Sequence, residues 1–269
     1  MKNLLQWMMA AIFVCGASVF TSCSDDKDSD IENLSEKIIG KWMFAERNGE
    51  PTPTNKKRVF TFISDTKAYV SAAHSLENGD TKWFDHTEAD IAISGNTVTL
   101  TMHLNEHTTM VDEFNITTID NTKFTAILKV TVSVDGTVVS SFENNILLTK
   151  VTTDYSEAIL GMWEGHVTSE QGSAFDDGED HKWEYKNDGN FVYYIQDEGG
   201  NWIANPGQTL SEYFVDGTLL CTRWVNGGIE NREWWEIASI KDGVMKWTAL
   251  RQKEDGSTYV ATFEMKKVE

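Results

Sequence analysis

The sequence predicts an all-β chain built as two tandem, small, antiparallel up-and-down β-barrels, and three observations carry that prediction. Apolar residues alternate with polar ones at a period of two through most of the chain, the pattern of strands buried on one face. Asn, Asp and Gly cluster between these runs, where tight hairpins demand positive φ. Finally, Leu34-Ser35-Glu36-Lys37-Ile38-Ile39-Gly40-Lys41-Trp42 returns as Tyr155-Ser156-Glu157-Ala158-Ile159-Leu160-Gly161-Met162-Trp163 with five identities, so one architecture is used twice.

The chain has 269 residues, with 23 Lys+Arg against 42 Asp+Glu and a formal charge of -19. An acidic surface of this kind repels phosphate backbones, and no Lys/Arg-dense run offsets it locally, which excludes nucleic acid as a partner. Hydrophobic residues make up 40% and aromatics 11%, with ten Trp and only three Pro; this composition fits a packed globular protein rather than a disordered one.

Taken in order, residues 1-22 read as a secretory signal: Lys2 supplies the positive charge, and the apolar run from Met8 to Phe20 is too short for a comfortable membrane span. The following Phe20-Thr21-Ser22-Cys23 resembles the lipobox of bacterial lipoproteins. That resemblance implies that Cys23 is lipidated and becomes the mature N-terminus, so that the chain contacts the membrane through a lipid anchor. Residues 23-33 contain the tract Ser24-Asp25-Asp26-Lys27-Asp28-Ser29-Asp30, which has no apolar residue to bury and reads as a solvated acidic tether. It resembles the export tag that carries lipoproteins of certain Gram-negative anaerobes to the outer face of the outer membrane. The expected location is therefore the cell surface, with the periplasmic face as the alternative. Cys15 leaves with the signal and Cys23 is acylated, so Cys221 stands alone and no intrachain disulfide is expected.

The first half, 34-151, opens with a helical turn before Gly40 and continues as strands separated by Asp65-Thr66, Ser94-Gly95-Asn96 and Asp135-Gly136. The second, 155-269, opens with a turn before Gly161. Its alternating sets Trp183/Tyr185, Phe191/Tyr193, Met245/Trp247/Ala249 and Tyr259/Ala261/Phe263/Met265 are separated by Asn187-Asp188-Gly189, Asp216-Gly217, Asn226-Gly227-Gly228, Asp242-Gly243 and Asp255-Gly256. Consecutive hairpins favour closure into barrels, which removes exposed strand edges. Each half has an aromatic core of its own and is expected to fold as a unit.

A helical turn leading into Gly-x-Trp, here Gly40-Lys41-Trp42 and Gly161-Met162-Trp163, is similar to the opening of lipocalins and their calycin relatives, in particular the lipocalin-like domains of bacterial lipoproteins. The resemblance implies that each Trp plugs one barrel end while a basic residue of the last strand packs across its indole. Lys150 in the first half, and Lys266 or Lys267 in the second, stand at that place, where lipocalins usually carry Arg. It also implies that binding uses a barrel interior or mouth.

Trp42 and Trp83 are the only indoles of the first half, whereas the second has Trp163, Trp183, Trp202, Trp224, Trp234, Trp235 and Trp247. Candidate ligand-binding residues are therefore Trp183, Tyr185, Tyr193, Trp224 and Trp247, joined by Arg223 and Arg251, whose guanidiniums share strand faces with apolar residues. Trp234 and Trp235 are adjacent and must point to opposite faces of a strand, so one leaves the core unless something covers it; they are the candidates for docking a partner. Two functions follow: binding of a small apolar or saccharide ligand in the second barrel, or a structural, accessory role in which packed barrels dock onto another envelope protein. Large residues at nearly every inward position argue for the latter, but the aromatic excess of the second half makes ligand binding the expected function, with docking as its alternative.

An enzyme is not expected, and no cofactor or metal is. There is no nucleophile elbow, P-loop, dinucleotide turn or His-Glu-x-x-His. His103 and His107 would lie ~13 Å apart along a strand, too far for one metal. Asp176-Asp177-Gly178-Glu179-Asp180 lacks EF-hand spacing. Cys221 among apolar neighbours reads as a packed thiol. Only an acid-pair hydrolase stays open, because carboxylate pairs leave no sequence signature.

Overall fold

The computed structural model describes residues 31-72, 83-168, 179-253 and 255-269. The leader, Cys23, most of the tether and residues 176-178 of the acidic loop lie outside them. Residues 31-269 form one compact unit of two antiparallel sheets. The first holds β1 (Gly40–Arg47), β2 (Glu50–Pro51), β3 (Val59–Phe62), β4 (Lys67–Ala72), β5 (Phe84–Ser94), β6 (Thr97–His103), β7 (Thr108–Ile119), β8 (Lys123–Val134) and β9 (Thr137–Lys150). The second holds β10 (Gly161–Val167), β11 (His181–Tyr185), β12 (Phe191–Gln196), β13 (Trp202–Ala204), β14 (Gln208–Asp216), β15 (Leu219–Asn226), β16 (Ile229–Lys241), β17 (Val244–Gln252) and β18 (Thr258–Val268).

The two halves open alike. A single helical turn, α1 (Leu34–Lys37), precedes β1. Trp42 then turns inward and donates its indole Nε1–H to the Ile38 carbonyl at 2.7 Å; Trp163 does the same to Ile159 at 2.6 Å. The Lys150 ammonium lies 5.0 Å from the Trp42 ring and that of Lys267 5.3 Å from Trp163. Glycine is favoured at Gly40 and Gly161 by their φ values of +124° and +110°, which L side chains rarely adopt; a Cβ there would also press on the mobile Lys150 and Lys267 Cε atoms, at 2.9 and 3.0 Å.

Closure distinguishes the sheets. In the first, β9 returns to β1, with Trp42 opposite Lys150 and Arg47 opposite Ile146, and β4 pairs with β5, so the strands form a closed barrel. In the second, β18 returns to β10, with Trp163 opposite Lys267. The step equivalent to β4–β5, from β12 to β14, is missing. The short strand β13 takes the edge of β12 instead, pairing Tyr194 with Ala204 and Gln196 with Trp202. Among the described residues an isolated bridge, Asn190 to Glu212, the Tyr213 N–H on the Gly189 carbonyl at 2.8 Å and the Tyr213 hydroxyl on the Lys186 carbonyl at 2.7 Å reach across. The second sheet is thus a curled half-barrel where the sequence led us to expect a second closed one, because three extra residues of strand occupy the hydrogen-bonding edge that closure needs.

The first barrel is filled. Phe60 packs edge-on to Phe114 at 5.1 Å and Trp42 to Phe124 at 5.1 Å. A buried Arg58–Asp112 pair joins them, its guanidinium 4.8 Å over Phe60.

A third apolar cluster joins the sheets: Met43 and Val59 from the first, Phe214, Leu219 and Cys221 from the second, with Trp83, Val151 and Trp234 packed around it. Lys41 crosses this seam to the buried Asp216 at 2.5 Å and to Asp154 at 2.7 Å. Its hydrogen bonds to Asp154 and Asp216 outweigh burial and raise its pKa. Lys57 meets Glu236 at 2.8 Å, and the Leu250 N–H donates to Thr54 Oγ1 at 2.9 Å. At Gly217, φ is +65° and a Cβ would sit 2.4 Å from Val151 Cγ1, so this hairpin turn fits the seam only as glycine.

Candidate functional site

The inner face of the second sheet is set by alternation along its strands. Trp183 and Tyr185 on β11, Phe191 and Tyr193 on β12, Trp224 on β15, Trp235 on β16, Trp247 on β17 and Phe263 on β18 surround a cavity of about 90 Å³. Trp247 is buried among these rings, with centroids 5.6 Å from Trp183, 5.6 Å from Trp235 and 5.5 Å from Phe263. Its Nε1–H has no hydrogen-bond partner, an arrangement that costs about 1–3 kcal/mol when a donor is buried. Asn205, Gln208, Thr222 and Asn226 line the cavity with polar groups. The cavity lies beside the step from β12 to β14 that the sheet leaves unpaired, and the exposed Ile203 and Ile229 share a sheet face with Asn205 and Asn226 respectively.

One carboxylate joins the rings. Glu233 lines the cavity and pairs with Arg251 at 2.6 Å, while the Arg251 guanidinium lies 4.6 Å over Trp235. Burial raises the Glu233 pKa despite the opposing Arg251 charge and the Trp234 backbone N–H. Burial also pushes the Tyr185 hydroxyl well above its ordinary value, and that of Tyr213, whose Oη donates to the Lys186 carbonyl at 2.7 Å, to about 12. His181 stacks on Trp183 and meets the Tyr193 hydroxyl at 3.0 Å.

Five of the rings singled out in the sequence, Trp183, Tyr185, Tyr193, Trp224 and Trp247, come together here. Arg251 reaches the site through Glu233. Arg223 does not: it follows Leu219 and Cys221 on the outward face of β15, pairs with Glu212 at 2.6 Å through Nε, and lies 4.9 Å over Trp83 in the seam. Nor do Trp234 and Trp235 form an exposed docking platform. Trp235 is buried in the cavity wall, and Trp234, on the opposite face, packs against the seam cluster. Phe191, Phe263 and Glu233 were missed as site residues. The first two carried a signal, since each sits in an alternating run already assigned to a strand; Glu233 did not, because a strand's inward face is not expected to carry a charge.

The remaining candidates are placed plainly. His103 meets Thr109 and His107 meets Asp135, so they do not converge. His166 pairs with Asp180. Among the described residues there is no group of three or more His, Cys, Asp or Glu able to hold a metal, and no helix long and apolar enough to cross a membrane. Cys221 is fully buried, and burial pushes its thiol pKa well up.

No family model matches the sequence, and no curated protein does. Among solved structures, similarity is found to two crystal structures of the vaccine antigen transferrin binding protein B from Haemophilus parasuis Hp5. For a double mutant the identity is 12% and the TM-score 0.23, covering 79% of this chain and 53% of that one. For a single mutant the identity is again 12% and the TM-score 0.23, covering 86% and 60%. The chain therefore matches little more than half of the length of those structures.

Proposed function

We propose that the protein is a non-catalytic lipoprotein of the outer membrane, anchored through Cys23 and displayed on the outer face, whose two lipocalin-like halves dock onto a protein partner through the open side of the second sheet. The observation that carries this reading is the missing β12–β14 step beside an aromatic cavity. A cavity of about 90 Å³ is well below the roughly 300–1,000 Å³ of small-molecule pockets, but it suits one anchoring side chain from a partner. The strand edges at the gap add backbone groups that an extended segment recognises.

Crosslinking tests it. With a photoreactive residue at Ile203 or Ile229, intact cells should yield one discrete protein adduct, whereas the same group at Ile63 on the first barrel should not. Equal labelling from all three positions would sink the reading. Anchorage is tested separately: Cys23→Ser should shift the protein from the membrane to the soluble fraction, and added protease should digest the parent protein on intact cells.

A second reading, a small apolar or saccharide ligand held by the same rings, is favoured by one observation, the convergence of Trp183, Tyr193, Trp224 and Trp247 on a single cavity. It predicts that some compound in a sugar and lipid panel changes indole emission, and that Trp247→Phe alters that response.

A further inference from the structure

We infer that the cavity of the second sheet receives a cation on an apolar stem, the lysine side chain of a protein partner. The inference rests on the docking reading above and names the chemistry of the anchoring group.

Size narrows the choice first. A cavity of about 150 Å³ takes up benzene, and each water molecule fills about 30 Å³ of liquid. At about 90 Å³, this cavity admits a short unbranched chain ending in a small head, not a sugar ring, a haem or a lipid tail. Trp183, Tyr193, Trp224, Trp235 and Trp247 then supply aromatic walls. Ring faces carry negative quadrupole charge, so they favour an alkyl stem capped by a cation over an equally long neutral chain.

The carboxylate points the same way. Among the described residues Glu233 is the one charged side chain on the cavity lining. The protein's own Arg251 already uses this wall as a cation site, lying on Trp235 and paired to Glu233. Arg251 meets Glu233 at a single contact, Nη2 to Oε2 at 2.6 Å, and the second carboxylate oxygen is a further acceptor for an incoming ammonium. The chain's formal charge of -19 steers a basic partner segment toward it. Ile203 and Ile229, both exposed, offer apolar contact to the residues flanking the lysine.

The test uses the full-length protein and two probes of matched length, n-butylammonium and n-butanol, followed through the indole N–H signals of Trp235 and Trp247 by NMR. Butylammonium should bind about tenfold more tightly than butanol. In Glu233→Gln that preference should fall to within about twofold. Trp224→Leu, which keeps an apolar wall but removes a ring face, should weaken butylammonium while leaving butanol unchanged; it covers the case in which Glu233→Gln fails to fold. Butanol binding as tightly as the cation, or neither probe moving these signals, would overturn the inference. The docking reading can fail independently. Crosslinks from Ile203 and Ile229 without a cation preference would leave docking standing and remove the lysine, whereas a cation preference without those crosslinks would leave a cation site but remove the protein partner and with it the inference.

Discussion

The two sheets begin with similar sequences, hold their Trp with the same hydrogen bond and cover it with an equivalent lysine, yet one closes and the other does not. What separates them is the third step around each barrel. In the first half β4 finds β5, with Lys67 opposite Asp90 and Tyr69 opposite Glu88. In the second half β12 finds β13, a strand of three residues with no counterpart in the first half, and β14 is left at an edge. The interiors follow from this difference. Phe60, Phe114 and Phe124 pack edge to edge inside the closed barrel, while the rings of the open one surround a cavity. The second sheet thus keeps the plug and the return strand of the first and gives up one hydrogen-bonded step beside its cavity.

The comparison can be broken most severely at the shared plug. Trp42→Ala and Trp163→Ala each remove a fully buried indole and should cost about 3–5 kcal/mol, read from urea unfolding. A cost below about 1 kcal/mol at either would show that the two openings are not equivalent supports. Next in size is Phe214→Ala in the seam, expected to cost about 3 kcal/mol and to split one cooperative transition into two, since the two cores touch mainly through that cluster. Fragments 34-151 and 155-269 should for the same reason fold singly but with lower midpoints than the whole chain.

A smaller effect sharpens the contrast in closure. The Ser211 amide, which points to the gap as that of Tyr213 does, should exchange at least about tenfold faster than the amides of β5 that bond to β4. Equal protection would mean that the half-barrel closes in solution.

The smallest effect concerns pH at the seam. His86 Nδ1 meets Asp85 at 2.7 Å and its Nε2 lies 3.7 Å from Asp216, which also holds Lys41. Its hydrogen bond to Asp85 raises the His86 pKa above 6.5, with burial opposing and Asp216 assisting. A raised pKa means that the stabilisation is fully present below 6.5 and is lost as pH rises through the folded value. Hydrogen bonding to Lys41 and Ser156 outweighs burial to lower the Asp154 pKa below 3.8, so its contribution is present above 3.8 and fades as pH falls through the folded value. The seam should therefore be firmest between these limits, and His86→Gln should flatten the alkaline side of the stability profile. An unchanged profile in that variant would remove His86 from the account.

The plug and strand order were legible because they repeat and alternate. Gly40, Trp42, Gly161 and Trp163 stand at matched positions, and nearly every hairpin falls at an Asn, Asp or Gly cluster. The seam was not read, although it left a signal. Trp42-Met43-Phe44, Phe214-Val215 and Leu219-Leu220-Cys221 are consecutive apolar residues in strands that otherwise alternate, and both faces of such a strand must be covered. Asp216, taken as an ordinary turn residue, is buried there because Lys41 comes from the other sheet to meet it. The open step was illegible for a different reason. Trp202 to Ala204 is too short to give a periodicity, and its competition with β14 for one edge is a property of pairing, not of any residue. Cavity residues drawn from alternating runs were found, whereas Glu233 emerged only from the side-chain directions of β16.

Cys221 lies in the seam at zero exposure, and among the described residues it is the only cysteine. Alkylation requires the thiolate, and burial has suppressed that form. A maleimide can therefore react only in those moments when the two sheets part. The labelling rate of Cys221, followed by peptide mapping, is then a clock for that parting, and its denaturant dependence reports how much surface each parting uncovers. The molecule carries its own stopwatch at the joint between its halves, with no probe to install.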